Sequence, residues 1–289
     1  VGARLGLSVA GLVAGLLLVA CALSIQEYTS GWRACDPDCG QAPAEAGTPD
    51  ATADAGADSA AEAGPDGTPD LDAPVDAAQI RLMQVNDVQP DGAVHAATIL
   101  FPDPQQPHDL NVVVVGWPDT VSSVTSIDDD AGNHYQLAVS TVAPATLWTP
   151  AGATQDMYYA ADIAPSASNA VTVSFSGGVV NIDLRVVEFA GVGTRDVLSA
   201  GYGAVDASVD APVTFGTTGA TTLVARELIV GAGLNSWAFL DAGPGFSLAD
   251  LTRYGDLVEY EVVSHTGQYA VTSTMNHHGE WILQMAAFR

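Results

Sequence analysis

Asn181-Ile182-Asp183-Leu184-Arg185-Val186-Val187-Glu188-Phe189 decides the fold. Ile182, Leu184, Val186 and Glu188 fall on one side at a spacing of two, which is the side-chain period of a strand. Outward from it the same texture continues, in short β-branched runs separated by turn residues and without an apolar stripe at helical spacing. The clearest strands are Leu110–Trp117, Ser123–Ile127, Tyr135–Ser140, Ala170–Ser176, Glu227–Gly233, Leu257–Val263, Tyr269–Thr274 and Trp281–Phe288. Weaker runs are Ile80–Val85, His95–Phe101, Met157–Ala161 and Val213–Gly216. Gly132-Asn133 reads as a hairpin turn, since both residues tolerate positive φ. Many short strands at this spacing predict an all-β domain over 80–289, a sandwich or barrel.

An internal echo sharpens that expectation. Ala170-Val171-Thr172 returns as Ala270-Val271-Thr272, Tyr158-Tyr159-Ala160 matches the strand around Tyr260, and Asn181–Phe189 matches Trp281–Phe288. Leu110–Gly116 and Leu228–Gly233 are similar apolar runs that each end in glycine. Two halves with one strand order suit a jelly roll built of two Greek keys, and the alternative is two small sandwiches in succession.

The composition excludes some functions. The 289 residues carry 34 acids against 8 basic residues, none of them lysine, for a formal charge of −26. Nucleic acid and anionic lipid surfaces both need basic patches, so neither is expected as a partner. A segment from about Gly40 to Ala78 holds Ala, Asp, Gly, Pro, Glu, Thr and Ser and almost nothing to bury. Between Ala22 and Gln79 twelve acids face the single Arg33. Such a stretch cannot offset its ordering entropy by burial, and its like charges extend it. Residues 22–79 are therefore expected to be a disordered acidic tether.

The N-terminus supplies the location. An apolar run from Leu5 to Ala20 follows Arg4, too short for a spanning helix and of the size of a signal-peptide core. Leu18-Val19-Ala20-Cys21 closes it and resembles the lipobox of bacterial lipoproteins. That resemblance implies a signal peptide over 1–21, lipidation of Cys21, and a chain anchored in the cell envelope. Ala22 after the cysteine resembles the outer-membrane sorting pattern. An uncleaved anchor helix and an unlipidated secretory signal are the alternatives. Cys35 and Cys39 then remain as an even pair in an oxidising compartment, where a small disulfide loop is expected.

The folded part also resembles a known kind of module. Ser123–Asp128, the Ala131–Tyr135 turn, Tyr158-Tyr159-Ala160, Val187–Gly191 and the closing Gln284–Arg289 are similar to a β-sandwich module of bacterial secreted and surface proteins. That module often stands beside immunoglobulin-like or carbohydrate-binding ones. The resemblance implies fold and location, and brings no catalytic residues.

Few residues stand out for chemistry. Asp128 and Asp130, before the Gly132-Asn133 turn, could hold Ca²⁺, a cation that takes oxygen ligands, although the spacing is not that of an EF-hand. Glu188 puts a carboxylate on an apolar strand face, so it needs a partner such as Arg226 or Arg253, or else a raised pKa in a cleft. Glu259 and Glu261 share a strand face, and a carboxylate pair is what glycoside hydrolysis requires. The six histidines show no metal spacing, and no nucleophile elbow or phosphate loop occurs. Trp148 and Trp237 lie in loops, where flat rings can stack on sugars or close the core. Trp117 and Trp281 flank strong strands and are expected in the core.

Three functions are compatible with these residues. The leading one is a membrane-anchored surface lipoprotein displaying a binding or adhesion module, not an enzyme, with carbohydrate as the ligand class. The second is a structural or interaction protein of the envelope. The third is a polysaccharide-acting enzyme on a jelly-roll scaffold.

Overall fold

The computed structural model describes residues 79–148, 150–205, 212–275 and 277–289. The expectations for Cys21, for Cys35 and Cys39, and for the tether through 78 lie outside the described residues.

The described chain is all β. The first half runs β1 (Arg81–Val88), β2 (Val94–Leu100), β3 (Leu110–Trp117), β4 (Val124–Asp129), β5 (Gln136–Ala143), β6 (Ala153–Ala160), β7 (Ala170–Val179) and β8 (Asp183–Ala190). The second runs β9 (Arg195–Val205), β10 (Val213–Gly216), β11 (Ala220–Thr221), β12 (Glu227–Asn235), β13 (Ser247–Leu251), β14 (Leu257–Val263), β15 (Gln268–Tyr269), β16 (Thr272–Met275) and β17 (Gly279–Phe288). All observed pairings between these strands are antiparallel.

Each half is a sandwich in its own right. In the first, the large sheet has the order β1-β8-β3-β6-β5 and the small one β2-β7-β4. In the second, the large sheet is β13-β14-β12-β17-β9, backed by the ribbons β10-β16 and β11-β15. Put β9 for β1, β12 for β3, β13 for β5, β14 for β6 and β17 for β8, and one large sheet reproduces the other. Successive strands cross between the two sheets as in a jelly roll, except that β5 turns into the large sheet beside β6. The Gly132-Asn133 turn is therefore not a hairpin: β4 pairs with β7 and β5 with β6, and the turn carries the chain from one sheet to the other. Gly132 takes φ +74°, which makes this corner possible.

The registers make the repeat specific. Val187 lies opposite Val112 in the first large sheet, and Ala286 opposite Val230 in the second. By the same count Phe189 answers to Phe288, and Tyr159 to Tyr260. The two large sheets pack face to face, with Leu110, Val112, Val114, Met157, Val187 and Phe189 from one meeting Leu228, Val230, Ala232, Val258, Ala286 and Phe288 from the other. Tyr159 sits 5.5 Å from Phe288 and Phe189 sits 5.4 Å from Tyr260, two contacts exchanged by an approximate two-fold axis along the strands. β5 stacks on β9 and β1 on β13, as that axis requires. The second half occupies the place a dimer partner would take.

This stacking explains the continuous burial of the central strands. β3, β8, β12 and β17 are covered on both faces, so their sequences read as unbroken apolar runs. The outer face of the first large sheet packs Val113, Val115, Trp117, Leu184 and Val186 against Ile99, Val171, Val173 and Phe175 of the small sheet. In the second half Ile229, Leu283, Met285 and Ala287 pack against Val271 and Met275. Each large side chain buried in these layers contributes about 1.5–3 kcal/mol.

Candidate functional site

Three loops meet at the pole of the first sandwich where β3 begins. The β2–β3 and β6–β7 connections are zipped together by backbone bonds: Gln105 with Ser166, the His108 N–H to the Ile163 carbonyl at 3.0 Å, and the Ile163 N–H to the Asp109 carbonyl at 3.1 Å. Asn133 ties in the third loop by accepting from the Ala164 N–H at 2.9 Å. Between them opens a cleft of about 430 Å³, lined by Pro107, His108, His134, Gln136, Asp162 and Pro165 among others.

His108 and Asp162 both hold left-handed backbones, φ 71° and 56°, unusual for residues other than glycine. Such strain collects where a loop is held for a purpose. Their side chains face each other, with His108 Nδ1 and Asp162 Oδ1 2.5 Å apart, and both are well exposed at the cleft mouth. A carboxylate orienting an imidazole is the base end of a catalytic triad. The lining of this cleft offers no Ser, Thr, Cys, Tyr or Lys to act as its nucleophile. What remains is a polar surface of imidazole, carboxylate and amide groups with proline at its rim.

Glu188 lies beneath this pole. As expected from the alternation, it is buried beyond Leu184 and Val186. Its carboxylate accepts from the Gln84 amide and, at 3.4 Å, from the Gln106 N–H. Arg253 is engaged elsewhere, donating to the Gln89 carbonyl at 2.7 Å. A second carboxyl, Asp109, meets Glu188, and burial together with that neighbour pushes Asp109 up to about 6. Both carboxyls are buried, and neither lines the cleft. Asp109 precedes a strong strand, and only its position next to Leu110 hinted that it would be drawn inward.

Asp128 and Asp130 are both exposed. The residue between them turns in instead. Asp129 accepts from the Asn133 N–H and side chain, each at 2.8 Å, from Asn169 at 2.9 Å and from Tyr135 at 3.0 Å. Burial acts to raise its pKa, but these donors outweigh it and hold the carboxyl below the usual range. Asp129 fixes the corner that shapes the cleft. Among the described residues no group of three or more His, Cys, Asp or Glu gathers as a metal site would.

The tryptophans divide. Trp148 is 1% exposed and packs with Ala143, Ala153, Leu234 and Ile282, so it closes the core between the halves and cannot stack on a ligand. Trp117 and Trp281 are in the core, on Phe175 and Phe215 respectively. Trp237 is 45% exposed, with its ring centroid 4.8 Å from that of His277. It follows the far end of β12, whereas the cleft lies by the start of β3. Leu234 packs beside Gly116 near the far end of β3, so Trp237 stands at the opposite pole from the cleft.

Two further clusters are internal. Arg185, fully buried on the face opposite Glu188, donates to the carbonyls of Gly233 at 2.8 Å and Leu257 at 2.7 Å and to Gln155 at 3.0 Å. Asp183 lies 2.7 Å from its Nε and accepts from Thr252 at 2.9 Å. Gln155 and Gln284 continue the chain of bonds across the sheets at 3.2 Å. Burial raises the Asp183 carboxyl, and raises Asp256 well above its ordinary range because Asp183 adds like charge to the desolvation. The signal was present in the sequence: Asp183 and Arg185, two apart, share a strand face with Val187 and Phe189. Glu259 is also fully buried, whereas Glu261 is only partly so.

Compared with known protein families, curated proteins and solved structures, the chain matches none. The fold and site together define a fused double β-sandwich with a polar cleft at one pole.

Proposed function

We propose that the chain is a binding module displayed from a bacterial envelope. Cys21 carries the lipid, the acidic segment 22–79 sets the spacing, and the double sandwich presents its ligand site away from the membrane. Carbohydrate is the ligand class. The observation that carries this reading is the cleft between His108, His134 and Asp162, whose volume falls in the range of small-molecule sites. Its exposed imidazole, carboxylate and amide groups suit hydroxyl ligands, and the prolines offer apolar edges to sugar C–H faces. The cleft presents an oriented imidazole without a nucleophile among its lining residues, which favours retention over turnover.

A glycan array with the full chain tests the proposal. Retention of a glycan is expected, and the His108→Ala/Asp162→Ala double substitution abolishes it. Trp237→Ala leaves binding at the cleft unchanged. Failure of the wild type to retain any glycan, or full retention by the double variant, ends the sugar reading at this site. The anchor is tested separately by metabolic lipid labelling, where a Cys21→Ser chain that is still labelled and membrane-bound would sink it.

A further inference from the structure

We infer that the paired outer edges β5 and β9 are a self-association surface, where a second copy of this chain adds its own β5 and β9 to both large sheets. The inference does not depend on the cleft or its ligand. Among the described residues, β5 is paired only with β6 and β9 only with β17, so each ends its sheet. Because β5 stacks on β9, the two open edges lie on the same side of the molecule. They are eight and eleven residues long.

Unpaired edges of this length template another strand unless they are protected. The opposite edges carry charge: Arg81 and Asp87 in β1, and Asp250 in the short β13. Arg253 adds to that side by donating to Gln89 and lying 3.5 Å from Asp91. On the β5/β9 side no charged residue occurs from Gln136 to Ala143 or from Val197 to Val205. Arg195 takes the Ala138 carbonyl at 2.9 Å, which closes only one end of β5. Four large apolar side chains are displayed there instead: Leu137, Val142, Leu198 and Tyr202, each 43–49% exposed.

The charge pattern selects the occupant. A second copy brings the same −26, so most docking faces would set acid against acid. The charges of β5 and β9 are confined to Arg195 and Asp196 at the start of β9, which leaves the rest of both edges neutral. A two-fold axis normal to the sheets would pair β9 with its copy and β5 with its copy, both antiparallel, as an isologous interface. At Gly201 and Gly203 the space a side chain would take is filled by the Gly216 carbonyl and the Trp281 ring, so that face of β9 is already packed. Leu198 and Tyr202 lie on the strand face of Ala200, which packs into the layer between the large sheets, so pairing would carry that layer on into the partner.

Sedimentation equilibrium of the full chain in density-matched detergent tests this, from about 1 to 100 μM, where modest interfaces associate. A monomer–dimer equilibrium is expected. Leu198→Lys/Tyr202→Lys places like charges opposite each other and raises the dimer Kd by about tenfold or more. Leu248→Lys, on the opposite edge, leaves it unchanged. Should the double variant not fold, amide exchange on the wild type decides, since β5 and β9 amides slow with concentration if they pair. A chain monomeric at the top concentration, a dimer indifferent to the β9 lysines, or one equally weakened by Leu248→Lys overturns the inference.

Discussion

Glu259 gives the sharpest test of how this fold handles its acids. The side chain is fully buried under Val271 and beside Gly231, where a Cβ would come 2.8 Å from its Cγ. One oxygen accepts from the Gly243 N–H at 2.6 Å, and the other has no hydrogen-bond partner. Burial pushes this carboxyl from 4.5 up to about 7. The folded state therefore holds the proton more tightly than the unfolded chain. Its stabilising share is complete below pH 4.5 and is lost as pH rises through 7. The gap corresponds to about 3 kcal/mol once the group is ionised in both states. Glu259→Gln keeps the shape and the Gly243 bond and removes the titration. Urea unfolding followed by tryptophan fluorescence should show the variant within about 1 kcal/mol of wild type at pH 4.5 and about 3 kcal/mol more stable at pH 8.5. Asp109, Asp250, Asp183 and Asp256 still titrate in both proteins, so the difference between the two curves isolates Glu259. Parallel curves from pH 4.5 to 8.5 would refute the buried-acid argument.

Three further outcomes follow from the packing. Arg185→Met strips a buried cation from Asp183 and leaves the Gly233 and Leu257 carbonyls without a donor. It should cost about 3–5 kcal/mol at pH 7 and less as the pH falls, because burial raises the Asp183 and Asp256 carboxyls; a pH-independent loss below 1 kcal/mol in urea melts would contradict it. Gly116→Ala puts a Cβ 2.6 Å from Leu234 Cδ1 across the two halves. About 1–3 kcal/mol should be lost, and a double-mutant cycle with Leu234→Ala should show favourable coupling; strict additivity counts against a shared interface. Trp148→Ala should cost about 3–5 kcal/mol and Trp237→Ala under 1 kcal/mol in the same melts, since one ring fills the core and the other is half exposed; equal losses would deny that division.

Much of the fold was legible because strands buried on both faces have no polar side to interrupt them. Leu110–Trp117 and Leu257–Val263 were read to their end residues. β9 was missed: its Ser-Ala-Gly-Tyr-Gly-Ala core has weak strand preference and is held by pairing with β17. Glu188 was recognised as a buried acid, but its partner Asp109 came from a loop 79 residues earlier in the chain, a proximity that only the crossing of β3 and β8 creates. Asp129, rather than Asp128 or Asp130, was turned inward by pairing with β7. The cleft had no sequence signature, because His108, His134 and Asp162 come from three loops that meet only at the pole.

By itself the sequence determined the strand texture, the acidic balance, the doubled pattern and the candidate lipid anchor, since each depends on composition or on neighbours a few residues apart. Tertiary structure alone decided that each half closes into its own sandwich and that the large sheets stack. It also decided which tryptophan is a lid and which a surface, and which carboxyls lose their water. Those outcomes depend on burial between segments far apart in the chain, and desolvation acts on a side chain only once the second sheet is in place.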